Sequence, residues 1–158
     1  MKIEKKTPSI NNDDLIKQEQ YLECKFPEDY REFLLEYNGG IPSKNILSFI
    51  EKNNKTEDYI DIFFGICDDD IYGLKSNNNS YINRIPSNTI AIACDPGGNL
   101  FLISIRGEDY GQIYFWDHEE EVDWNSDQEA DYSNLTPVAK SFTDLINNLK
   151  DISELDDK

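Results

Sequence analysis

The single histidine of this 158-residue chain, His118, stands in the run Phe-Trp-Asp-His-Glu-Glu-Glu-Val-Asp-Trp at 115–124. An imidazole among carboxylates is suited to acid–base chemistry, because it changes charge near neutral pH and adjacent acids help to hold its proton. The same groups could ligate a divalent cation. They could also form a negative surface that receives a positively charged partner.

Catalysis by His118 would need a nucleophile with an oriented base. The sequence holds no Gly-x-Ser-x-Gly, no Cys–His pairing and no phosphate-cradling glycine loop. Asp95-Pro96-Gly97-Gly98 has the glycines of such a loop but not the Lys-Ser/Thr that should follow. Zinc sites want three or four ligands at recognisable spacings, and a calcium loop wants a central glycine that 117–127 lacks. The reading is therefore of a protein with no catalytic residue, no metal ligand and no cofactor, in which His118 ends a strand and bonds nearby backbone. The surface reading remains. Its partner-binding candidates are Asp117, Glu119, Glu120, Glu121, Asp123, Trp124, Asp127, Glu129 and Asp131.

Charge supports that choice. The formal net charge is -17, and residues 61–158 carry 20 of the 32 acidic but only 6 of the 15 basic side chains. No Lys or Arg occurs between Arg106 and Lys140, where ten carboxylates fall between Glu108 and Asp131. Such a surface repels phosphate, which argues against direct binding to nucleic acid or an anionic membrane and for a basic protein. The basic start, Met1 to Ile10, has no apolar stretch behind it, and no apolar run reaches the length of a membrane span. Cys24, Cys67 and Cys94 are odd in number and widely spaced, as free thiols in a reducing compartment would be. A cytoplasmic location is expected.

The elements that must position the run follow from patterning. Asn11 to Asp14 read as caps for a helix over the next residues. Pro27, then Glu28 and Asp29, open a second helix whose Tyr30, Phe33, Leu34 and Tyr37 form one apolar stripe. Asn38-Gly39-Gly40 should end it in left-handed backbone. Strands are expected at 46–51 and 59–67 about a turn at 53–55, and a short helix from Asp68-Asp69-Asp70 to Leu74, with 76–80 as loop. Thr-Ile-Ala-Ile-Ala-Cys, Asn-Leu-Phe-Leu-Ile-Ser-Ile and Gln-Ile-Tyr-Phe-Trp-Asp should form an antiparallel meander, apolar on both faces. Residues 119–134 read as an exposed loop, Thr136-Pro137 as the start of a last helix, and the tail from Ser153 as frayed. The fold class is α+β: two N-terminal helices, a mainly antiparallel bent sheet and a C-terminal helix, in one domain over 1–158 with its core at about 12–150.

Three of these stretches together resemble the motifs of the Smi1/Knr4 family, also called the SUKH superfamily. They are Phe-Pro-Glu-Asp-Tyr to Asn-Gly-Gly-Ile-Pro-Ser (26–43), Ile-Pro-Ser-Asn to Leu-Ile-Ser-Ile (85–105), and Gly-Gln-Ile-Tyr-Phe-Trp-Asp-His (111–118). The resemblance implies an α+β domain with helices against a bent sheet. It implies structural roles for Pro27, Asn38, Gly39, Gly40, Pro86, Asp95, Gly98, Trp116 and Asp117. It also implies a bacterial immunity protein that blocks a cognate, basic, nuclease-type protein toxin by binding it. A regulatory scaffold without a toxin partner is the alternative, with a metal protein or enzyme centred on His118 behind it. Segments 51–58 and 68–85 match no motif and are where partner choice could reside.

Overall fold

The structure is a computed structural model that describes residues 1–121 and 130–155. It is α+β. A short strand β1 (Ile3–Glu4) precedes helices α1 (Asn12–Tyr21) and α2 (Glu28–Glu36). Strands β2 (Ile41–Pro42), β3 (Ile46–Glu51), β4 (Asn54–Tyr59) and β5 (Ile62–Phe63) lead to α3 (Leu74–Ser80). Strands β6 (Thr89–Cys94), β7 (Leu100–Ser104), β8 (Ile113–Trp116) and β9 (Leu135–Ala139) precede α4 (Phe142–Asn148). The main sheet is five-stranded and antiparallel in the order β5-β6-β7-β8-β9, with β3–β4 as a separate hairpin and β1–β2 as a small clasp.

The expected meander is β6-β7-β8. Both faces of β7 are buried along its whole length, as an apolar strand covered on two sides requires. Phe33 of α2, Phe63 of β5 and Phe142 of α4 pack with ring centroids 4.8 to 5.8 Å apart and join the helices to the sheet. In α1 the capping box of Asn11 and Asp14 is complete. Glu19 accepts from the Phe26 amide at 2.8 Å and from Arg31, fastening α1 to the start of α2.

The Asn38-Gly39-Gly40 stop carries more than a helix end. All three residues have positive φ, at 52°, 82° and 117°. Asn38 is 1% exposed. Its Nδ2 donates to the carbonyls of Pro8 and Ile66, its Oδ1 accepts from the Ile66 amide, and its own carbonyl accepts from Thr7 Oγ1. A Cβ on Gly39 would stand 2.6 Å from the Phe63 carbonyl oxygen, so glycine is required where two backbones touch.

Four expectations need correction. The hairpin turn is Lys52-Asn53, both at positive φ, so β4 runs from Asn54 to Tyr59, and of the rest of 59–67 the only named strand is Ile62–Phe63. The polar face of β4 hid it from a search for apolar runs. The short helix expected from Asp68 to Leu74 instead begins at Leu74, after a turn in which Asp69 Oδ1 accepts from the Ile71 and Tyr72 amides. The Asn-rich 76–80 is its body, not loop: Asn78 bonds both ways to the Ala91 backbone at 2.8 and 2.9 Å, and this tertiary pairing overrides weak helix propensity. Leu135–Ala139 is an edge strand rather than a helix start, with Pro137 tolerated at a register shift. The last helix starts only after Ser141, which caps the Asp144 amide. The tail forms a 3₁₀ turn at Ile152–Glu154, where Glu154 pairs with Lys44, and 156–158 lie outside the described residues.

Replacing Asn38 by Ala strips three partly buried hydrogen bonds from the Pro8 and Ile66 backbone while keeping left-handed backbone at 38. We expect a loss of about 3 kcal/mol or more in urea unfolding, with the main transition still cooperative.

Candidate functional site

Trp116 ends β8 and is fully buried. Its ring meets Tyr81 edge-on at 5.6 Å, and the Arg84 guanidinium lies 4.8 Å from the Tyr81 centroid. Beyond Trp116 the chain turns sharply. Asp117 accepts from the Glu119 amide and caps a 3₁₀ turn over His118–Glu120. The Asn134 side chain and backbone grip the Asp117 backbone at 3.0 and 3.2 Å. The stretch from 118 is thus partly regular and Asn134 is buried, where an exposed loop was expected.

His118 does not end a strand. It starts the 3₁₀ turn, donates its backbone N–H to Asn99 Oδ1 at 3.0 Å, and lies with its imidazole against Gly98. Among the described residues no group of three His, Cys, Asp or Glu side chains is placed to hold a metal.

The carboxylates of the run divide by what they touch. Glu121 accepts a two-pronged bond from Arg84, at 2.8 and 3.1 Å. Glu120 pairs with Lys52 at the tip of the β3–β4 hairpin. Both are answered by cations from distant segments, so the absence of Lys and Arg nearby in sequence overstates the local charge. Asp109 turns inward and accepts from the hydroxyls of Ser104, Tyr114 and Tyr132 at 2.8, 2.7 and 3.0 Å. Burial acts to raise its pKa, but these three donors outweigh it and hold the carboxyl below its ordinary range. Glu108, Glu119 and Asp131 are exposed, and the Ser133 side chain and amide keep Asp131 below its ordinary value. Asp123, Trp124, Asp127 and Glu129 lie outside the described residues. Tyr132 is 37% exposed, with its ring edge-on to Tyr114 at 5.3 Å and its hydroxyl held by Asp109.

Beside Glu121 lies a groove of about 1310 Å³ that no sequence motif marks. It runs between Tyr21 at the end of α1, Asn78 and Asn79 of α3, the segment around Ile82 and Arg84, and Arg106. Glu121 and Ala130 form part of its wall. Ile82 is 63% exposed. The groove is built from segments far apart in the chain, which is why spacing could not reveal it. The only sequence signal was that 68–85 matches none of the resembling motifs.

Asp109 gives this region a pH signature. Its folded pKa is lowered, so the folded state holds that proton less tightly than the unfolded chain. The stabilisation is complete above the ordinary carboxylate value of about 4 and is lost as pH falls through the lowered one. Thermal melts between pH 5 and pH 2 should fall less steeply for Asp109→Asn than for the parent chain.

Among the described residues no helix is long and apolar enough to cross a membrane. Residues 9–148 match the SMI1/KNR4 family, SUKH-1. The chain is also 35% identical over 127 residues to the SPbeta prophage-derived uncharacterized protein YokK of Bacillus subtilis strain 168, covering 71% of this chain and 65% of that protein, less than two thirds of its length. The three motifs at 26–43, 85–105 and 111–118 fall within the matched span and build the helix stop, the β6–β7 hairpin and the Trp-Asp corner, so the chain belongs to the SMI1/KNR4 (SUKH-1) family.

Proposed function

We propose that this protein is a cytoplasmic immunity protein that binds a cognate bacterial toxin, basic and of nuclease type, and neutralises it stoichiometrically without a reaction of its own. The carrying observation is the stretch from 107 to 139, with ten carboxylates and no Lys or Arg, and with Glu108, Glu119 and Asp131 exposed. Family membership is consistent with an immunity-type protein.

The physical reasoning is direct. A nuclease presents cations in a groove shaped for phosphates. Carboxylates held at fixed spacing can occupy that groove, and opposite charge speeds encounter. Affinity then needs a few desolvated anchors. Tyr132 suits that role, because its bond to Asp109 has already restricted the ring before any partner arrives. The groove beside Glu121 adds apolar area through Ile82 and Tyr21. Glu120 and Glu121 serve mainly to fix the 3₁₀ turn, through Lys52 and Arg84.

One observation favours a second reading, a regulatory scaffold whose partner is not a toxin. The groove lining sets Arg84 and Arg106 against Glu23 and Glu121, so it has no need of a basic partner.

A charge series separates the two. Glu108, Glu119 and Asp131 replaced together by Ser should slow association with the toxin-like protein encoded beside the gene by about tenfold at low salt, and flatten its salt dependence. Replacing exposed Asp13, Glu32 and Glu57 instead removes the same net charge elsewhere and should slow association far less. Equal effects from both sets would reject a localised acidic surface. No binding by the parent chain would favour the scaffold.

A further inference from the structure

Away from the acidic run, the hairpin and the main sheet meet at a corner where two carboxyl groups face each other. We propose that Asp58 and Asp95 share one proton and form a latch, which holds the β3–β4 hairpin against the β6–β7 turn and opens when that proton is lost. This device does not depend on the toxin reading.

The geometry begins with register. Asp58 lies opposite Leu47 in the hairpin, and Leu47 is fully buried. Leu47 and Phe49 therefore share their face with Asp58 and turn it toward the core. The chain then runs through Ile60 and Asp61 into β5, and the Asp61 amide donates to the Cys94 carbonyl at 2.8 Å. This short path brings β4 against the end of β6, where Asp95 begins the turn.

Asp95 is 6% exposed and its oxygens are already taken. Oδ1 accepts from the amides of Gly97 and Asn99 at 2.9 and 2.7 Å, and Oδ2 from Asn99 Nδ2 at 2.8 Å. Asp58 differs. Its Oδ2 is buried with no N–H or O–H donor within reach among the described residues, while the groups within hydrogen-bond range of its side chain are the Asp95 carboxyl and the Tyr59 amide. Two acceptors can meet without loss only if a proton lies between them. Asp58, with its Oδ2 left without a donor, is the group that carries it.

Other charged groups at the corner leave this conclusion in place. Glu51, on β3, adds negative charge toward Asp58, and the Tyr59 amide partly offsets it. Asp61 and Cys94 lie beside Asp95, and burial pushes the Cys94 thiol up to about 12, so it stays neutral. His118 faces the turn through Gly98, and Lys52 pairs with Glu120 at the hairpin tip. Burial first, then the bond to Asp95 and its charge, push the Asp58 carboxyl up to about 7. The folded state thus binds this proton more tightly than the unfolded chain. The stabilisation is complete below the ordinary value of about 4 and is lost as pH rises through about 7. Above that, two carboxylates oppose each other at the base of the hairpin. The Ile46–Lys150 backbone pair at 2.9 Å, Phe49 on Phe115 at 5.1 Å and the Lys52–Glu120 pair still hold its two ends, so the opening is local to the Asp58 corner.

The test is a carbon-13 titration of the side-chain carboxyls in the intact chain, which reads Asp58 separately from His118. The expected Asp58 midpoint is near 7, with hydrogen-exchange protection of the Ile46–Tyr59 amides falling over the same range relative to β7. Asp58→Asn can donate to Asp95 permanently. It should melt like the parent at pH 5, melt higher at pH 8 and show no midpoint in hairpin protection. Asp95→Asn, which can donate an N–H to Asp58, should bring the Asp58 midpoint down toward the ordinary value. An Asp58 midpoint near 4 in the parent, or an unchanged pH slope in Asp58→Asn, would overturn the latch.

Discussion

The fold depends on one side chain that does the work of a strand. At Asn38 the chain leaves α2 in a left-handed conformation and enters a place where the N-terminal arm and the segment after β5 both present unpaired backbone. The carboxamide has one acceptor and two donor hydrogens, and all are used. Because it binds Pro8 and Ile66 together, the arm that forms β1 and the strand that edges the main sheet are located relative to α2 by a single group. The two glycines that follow let the backbones of Glu4 and Phe63 come close enough for β2 to bridge the clasp and the sheet.

The rest of the architecture fans out from that junction. The main sheet extends from β5 to β9, and the Trp116-Asp117 corner lies at its far side, where β8 ends and the acidic run begins. The corner is fixed from within by Trp116 on Tyr81 and from outside by Arg84 on Glu121. A strongly acidic segment would by itself repel its own return to the sheet. Here two of its carboxylates meet cations from the hairpin tip and the loop after α3, and a third is turned inward onto three hydroxyls. Among the described residues Glu108, Glu119 and Asp131 face outward, carried on a base that is neutralised locally.

Much of this was legible in the sequence, for physical reasons. The α2 stripe of Tyr30, Phe33 and Leu34, the left-handed stop after it, and the doubly buried meander each follow from local pattern, and each is present. The class α+β followed from their order. What escaped was set by partners far along the chain. Residues 76–80 have a loop composition and become helix because Asn78 completes the Ala91 backbone at a bulge of β6. Leu135–Ala139 looked like a helix start because of Pro137, yet β8 offered an open edge. In the candidate site the charge was visible, but not its pairing: Lys52 and Arg84 lie 68 and 37 residues from the carboxylates they meet.

The Asn78 contact has a further implication. The Asn78 side chain binds the Ala91 backbone directly, and Leu74 is its fully buried neighbour in the same short helix. Asn79, Ile82 and Asn83, on the groove side, are absent from the buried core. Leu74 and Asn78 thus attach the helix, Asn78 also reaching the groove, while Asn79, Ile82 and Asn83 line it from outside the core. The exposed part of the lining is therefore free to drift in identity over generations while the two anchors stay put, which gives a lineage of such proteins mutational latitude at the wall without endangering the domain beneath it.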